Sequence, residues 1–143
     1  MSYDQQPHFR WIARHEAAHV VVAGIEGLTV KGVHLAPHPT EPGFLAYTEL
    51  DGLLDRDSLV PVTRVLLAGC AYEEMITPLW DLGFADHDRE EAYRMRRIAP
   101  EFGLVVNLAE QHRHVRRLLR QHATAIDLLS LRLIEEHEAR GAA

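Results

Sequence analysis

The chain has 143 residues, 47% hydrophobic and 25% charged, which fits one globular domain with a substantial core. Its net charge of −6 disfavours a nucleic-acid partner, because that affinity rests on cationic contacts to phosphate. The single cysteine, Cys70, excludes an internal disulfide framework; with no apolar run of ~20 residues and no signal-like N-terminus, a cytoplasmic protein without membrane contact is expected.

Residues 9–25 are predicted to form a helix, stopped by Gly24 and Gly27. Phe9, Trp11, Ile12, Ala17, Val20, Val21, Val22 and Ile25 nearly encircle it, which marks a buried helix. Within it lies His15-Glu16-Ala17-Ala18-His19. Two histidines four apart share one helix face, about 6 Å apart at Cβ, so both imidazoles can reach one metal ion. The intervening glutamate can then act on a water molecule at that ion, the pattern of a zinc-dependent hydrolase.

Residues 28–35 and 44–50 read as two short strands of an antiparallel hairpin, separated by a segment in which Pro37, Pro39 and Pro42 forbid a regular element. The stretch Phe44, Leu45, Ala46, Tyr47 and Thr48 is a candidate edge strand for pairing with an extended peptide. His34 and His38 are read as strand-face and loop histidines rather than ligands.

Asp55-Arg56-Asp57-Ser58 signals a second helix, capped by Asp57 or Ser58, with Pro61 in its first turn and an end near Ile76. Gly69 and its small neighbours predict close approach of another helix, Cys70 reads as a small buried hydrophobe, and one of Glu73 and Glu74 is expected to face inward. A third helix is expected from Asp86-His87-Asp88 to Pro100. Asp86 is explained by capping alone, whereas Asp88, inside the first turn and near the positive helix end, is suited to a cation. From Leu104 or Val105 to Arg140 a long helical region is predicted, with a break near residues 122–124 and one packed face carrying Leu118, Leu119, Ile126, Leu129, Leu133 and Ile134. Arg113, Arg116, Arg117 and Arg120 read as a solvated face.

Two histidines need a third protein ligand. Spacing leaves Glu73, Glu74, Asp86, Asp88 and His87 open, and no histidine follows His19 where a metzincin would place one.

In order, His15-Glu16-Ala17-Ala18-His19, Leu45-Ala46-Tyr47-Thr48, Leu67 to Glu74 and Gly83 to Ala92 resemble the motifs of the zinc peptidase domain of FtsH-type AAA+ proteases. The resemblance covers residues 9–103 as a metal-site core; residues 104–140 agree only in helical character. It implies a mostly α fold with a small β hairpin (α+β class) and the metal helix in the core, one domain over 1–143, and one Zn²⁺ per chain. His15, His19 and Asp88 would be the ligands and Glu16 the general base. Asp86 stays a fallback, because the turn before Asp88 is one residue longer than the family's. Cys70 and Tyr72 depart from the family's arginine and alanine, and Ala18 from its glycine. The chain contains no G-x-x-x-x-G-K-[ST] phosphate loop, hence no ATP site. The expectation is a zinc metalloendopeptidase acting on unfolded or flexible protein, as a homo-oligomer or fed by a separate delivery partner. The alternative is an inactive zinc-binding or protein-interaction domain derived from such a peptidase.

Overall fold

A computed structural model describes residues 9–35, 46–76 and 86–142. In chain order these are helix α1 (Phe9–Ile25), strands β1 (Val30–His34) and β2 (Tyr47–Leu50), and helices α2 (Leu59–Ile76) and α3 (Asp86–Ile98). A short 3₁₀ turn (Ala99–Phe102) and helices α4 (Leu108–Gln121) and α5 (Ala123–Ala142) complete it. The fold is mostly helical with one two-stranded antiparallel sheet, as the sequence predicts. Among the described residues no helix is long and apolar enough to cross a membrane.

Helix α1 is the centre of the packing. Its all-round apolar character is used on two sides, α2 lying against one and α5 against the other, with the sheet nearby. Ala17, Ala18, Val22 and Ala23 meet Val65, Ala68, Ala71 and Tyr72 of α2, and Val115, Leu119 and Ile126 close the same cluster. A smaller cluster joins Phe9, Ile12 and Ala13 to Leu35 and Ala46, with Leu133 and Ile134 of α5 against it. Gly27, not Gly24, ends α1: at φ 76° it lets Leu28 N–H reach back to Ala23 C=O at 2.9 Å, the six-to-one bond of a Schellman cap.

Within the described residues the strands are shorter than expected, β1 starting at Val30 rather than at residue 28. Val30 pairs with Leu50 and Gly32 with Glu49, so Lys31 is the extra residue of a bulge. The predicted positions Phe44 and Leu45, with His38, lie outside the described residues; Ala46 is buried just before β2 begins.

Two helix starts differ from expectation. Asp55 joins the predicted Ser58 in closing the turn that leads into α2: its carboxylate accepts from Ser58 N–H at 2.8 Å while Ser58 Oγ accepts from Asp55 N–H at 2.9 Å. That reciprocal pair satisfies two donors at once. Helix α4 begins at Leu108, not near residue 104, because Asn107 caps it by accepting from Glu110 N–H. Before it, Gly103 at φ 73° terminates the 3₁₀ turn. The predicted break is present: His122 leaves helical geometry between α4 and α5.

Because Ile126 is fully buried where α5 meets α1 and α2, Ile126→Ala is expected to cost about 2–5 kcal/mol of unfolding free energy. Urea unfolding followed by circular dichroism measures it, and a cost under about 1 kcal/mol would contradict this placement.

Candidate metal centre

The histidines of α1 face α2, and the four-residue spacing stacks them on one side of the helix. Both are buried, at 5% exposure each, so all four ring nitrogens need partners. The outer pair is provided for by α2. His15 Nδ1 donates to Glu73 Oε1 at 2.9 Å, and His19 Nδ1 donates to the Val65 backbone carbonyl at 2.6 Å. A carbonyl can only accept, so His19 carries its proton on Nδ1 and, when neutral, turns a lone pair outward from Nε2. Glu73 does the same for His15.

The two Nε2 atoms converge on a third group. Asp88, in the first turn of α3, places Oδ2 3.0 Å from His15 Nε2 and 3.0 Å from His19 Nε2, and the two nitrogens are themselves 3.0 Å apart. Three ligands held 2.0–2.1 Å from one tetrahedral ion stand about 3.3 Å apart, so two nitrogens and a carboxylate oxygen at this spacing fit a divalent cation. Helix α3 delivers Asp88 because Ala92 and Met95, at i+4 and i+7 on the same face, are buried and fix its rotation.

Gly69 makes the convergence sterically feasible. A Cβ there would lie 2.4 Å from His15 Cε1, 2.6 Å from His15 Nε2 and 2.9 Å from His19 Nε2. The expected close approach at Gly69 is thus made by two imidazoles rather than by helix backbone. Glu16, also buried, accepts through Oε2 from the Thr48 hydroxyl of β2, tying the glutamate of the motif to the sheet.

The electrostatics follow from the geometry. Burial disfavours an imidazolium, yet hydrogen bonds from His15 to Asp88 and Glu73, with the Asp88 charge, outweigh it and hold His15 well above its ordinary value. His19 is raised too, its burial offset by the charge and hydrogen bond of Asp88. Burial likewise works against the Asp88 carboxylate, but His19 and His15 hold it far below the usual carboxylate range. Cys70 is buried and its thiol is pushed up to about 12, mainly by burial, which agrees with a packing role.

The other candidates for third ligand stand elsewhere. Asp86 is exposed and pairs with Arg89 at 3.2 Å, Glu74 pairs with His112 at 3.0 Å, and Glu73 meets the outer nitrogen of His15 rather than the convergent pair. His87 is an exposed side chain of the first turn of α3. His34 stacks on Tyr47 and pairs with Glu49 at 3.1 Å on the sheet surface. Tyr47 and Thr48 lie on β2, which pairs with β1 on one side. The Val65 carbonyl had no side-chain signal in the sequence, and the Thr48–Glu16 bond none beyond Thr48's place in the edge strand. No protein-family model and no curated protein matches this chain.

Gly69→Ala is expected to lower Zn²⁺ affinity about tenfold to a hundredfold by displacing both imidazoles, as measured by competition with a chromophoric chelator. Gly24, inside α1 with nothing within 4 Å of a Cβ, is the control: Gly24→Ala should leave affinity unchanged and stabilise the fold by about 0.5–1 kcal/mol. Equal Zn²⁺ affinity in Gly69→Ala and wild type would refute the steric account.

Stability of the metal-free protein should depend on pH through the same atoms. The raised histidines stabilise the fold fully below their unfolded value of about 6.5, and this is lost as pH rises through their folded values. Asp88, depressed, stabilises above its unfolded value of about 3.9 and loses this as pH falls towards its folded value. Thermal melts in a chelating buffer should therefore show Tm falling above neutral pH. Added Zn²⁺ should remove that fall, because a cation replaces the protons.

Proposed function

We propose that this protein is a zinc-dependent metallopeptidase. The observation that carries the reading is the meeting of His15 Nε2, His19 Nε2 and Asp88 Oδ2 at 3.0 Å, beside a buried glutamate from the same helix. Two imidazoles and one carboxylate, three protein ligands in all, leave a position open for water or substrate, which distinguishes a catalytic zinc site from a structural one. When bound, zinc supplies Lewis acidity that lowers the pKa of water to roughly 7 and polarises a carbonyl.

The chain's own residues do the rest. Thr48 fixes Glu16 Oε2, and Glu16 Oε1 is assigned to receive the proton of the attacking water and to pass it to the leaving amine. Glu73 and the Val65 carbonyl set the tautomers that point both lone pairs at the ion, and Glu73 raises the basicity of His15 as a ligand. Strand β2 carries Thr48 beside the centre, and its edge away from β1 is paired with no other strand among the described residues. That edge is assigned to pair with the extended backbone of an unfolded or flexible substrate, Tyr47 and Thr48 lying along it. The similarity of motif order to FtsH-type peptidases supports the same chemistry.

Glu16→Gln keeps the shape and the Thr48 contact but cannot take a proton. It is expected to bind Zn²⁺ as wild type does while losing about 10²–10⁴-fold in kcat on an unfolded protein such as casein. Wild-type cleavage should stop with 1,10-phenanthroline and return with added Zn²⁺. Cleavage that survives Glu16→Gln would sink the mechanism. An absence of any cleavage, with zinc still bound, would instead favour a non-catalytic zinc domain.

A further inference from the structure

Between α2, α3 and the turn after β2 lies an open groove of about 230 Å³, walled by Leu28, Leu50, Leu54, Val62, Leu66 and Met95. At its rim Glu91 and Arg94 pair with each other at 3.2 Å, and the Asp51 carboxylate accepts from Gly52 N–H at 2.9 Å, so the rim is net acidic over apolar walls and disfavours an acidic ligand. The volume is below the ~300 Å³ at which small-molecule and cofactor pockets begin and suits a single large side chain.

Its position follows from the elements that build the metal centre. On α2, Leu66 lies one turn before Gly69, and on α3, Glu91 lies one turn after Asp88, in each case roughly 4.5 Å along the helix axis. On β2, Leu50 follows Thr48 by two residues on the same face, about 6.8 Å on. All three elements thus leave the centre over the same groove. A peptide extended along β2 advances by the same two-residue repeat, so the side chain one or two residues from its scissile bond arrives there.

We infer that this groove is the specificity pocket of the centre and receives a large apolar side chain (leucine, methionine or phenylalanine) of an extended peptide substrate. The inference rests on the peptidase reading above and adds the substrate class to it. Val62, half-buried in the groove wall, sets its depth. Removing matter there lets a bulkier side chain in, and adding matter shuts large ones out.

The test uses the zinc-loaded full chain and a mixture of unstructured peptides, with cut sites read by mass spectrometry. Cut sites should share leucine, methionine or phenylalanine at one fixed position relative to the scissile bond. Replacing that residue by alanine should lower kcat/KM about tenfold or more. In Val62→Phe that leucine-to-alanine ratio should fall towards one, and in Val62→Ala the preference should move to phenylalanine and tryptophan. If wild type cuts and its cuts depend on Glu16, but both Val62 variants fold and keep the wild-type ratio, the pocket assignment is overturned while the peptidase reading stands. A Val62 variant that changes oligomeric state by sedimentation without changing selectivity would assign the groove to a second copy of the chain and also overturn it. If wild type cuts nothing, the peptidase reading fails and takes the pocket with it.

Discussion

Two imidazoles buried side by side, with both outer nitrogens already donating, are the constraint around which the molecule is arranged. Leaving a buried polar atom unpartnered costs about 1–3 kcal/mol, so α2 must present an acceptor to each ring at the right height. It does so with a backbone carbonyl at Val65 and a carboxylate at Glu73, two turns apart along the same helix. Gly69 lies between them, and its missing side chain is where the rings themselves go. One helix therefore satisfies, orients and accommodates both histidines. The depth at which α2 sits against α1, and through it the packing of α4 and α5, is matched to that arrangement.

A second requirement concerns Asp88. A carboxylate carried into this interior must be matched by positive charge, since an uncompensated buried anion would protonate or stay in water. Among the described residues, the side chains that pair with Asp88 are the two imidazoles, which is why the metal-free centre draws protons on to His15 and His19. A divalent cation meets the same demand without them. Under the proposed reading, protons and a metal ion would compete for one set of three atoms, and metal binding at neutral pH would expel protons.

Much of this was legible in the sequence, for identifiable reasons. The bounds of α1 are readable because a mostly apolar stretch, apolar on nearly every side of a helix and with glycines at its end, admits few alternatives, and the histidine spacing is a property of any helix. Asp88 is favoured over Asp86 in the sequence by its place inside the first turn of the helix and by the family resemblance, and the burial of Ala92 and Met95 on the same face is what turns it inward. Glu73 and Glu74 could not be separated by pattern, since adjacent residues on a helix differ by about 100° and the rotation of α2 depends on packing. The role of Asp55 is not separable by pattern from those of Asp57 and Ser58 beside it, whereas at α4 the apolar Leu104, Val105 and Val106 extend the helical pattern ahead of the Asn107 cap. The Val65 carbonyl was invisible in principle: every residue has one, and only tertiary placement makes it a partner.

The hydrogen bond from Thr48 joins β2 to Glu16. A general base must be held, yet must keep one oxygen available for proton transfer, and a hydroxyl from a neighbouring strand achieves both where a cation would depress its basicity. Thr48 Oγ1 is also part of the strand along which a peptide is assigned to lie, so the group that positions the base and the backbone that positions the substrate move as one unit. Register between the two is then fixed by a pleat rather than by two independent loops. In an extended chain the same pleat spaces side chains at intervals of about 6.8 Å, so under the proposed reading the side chain taken by the groove beyond Leu50 would set which bond is presented at the metal centre.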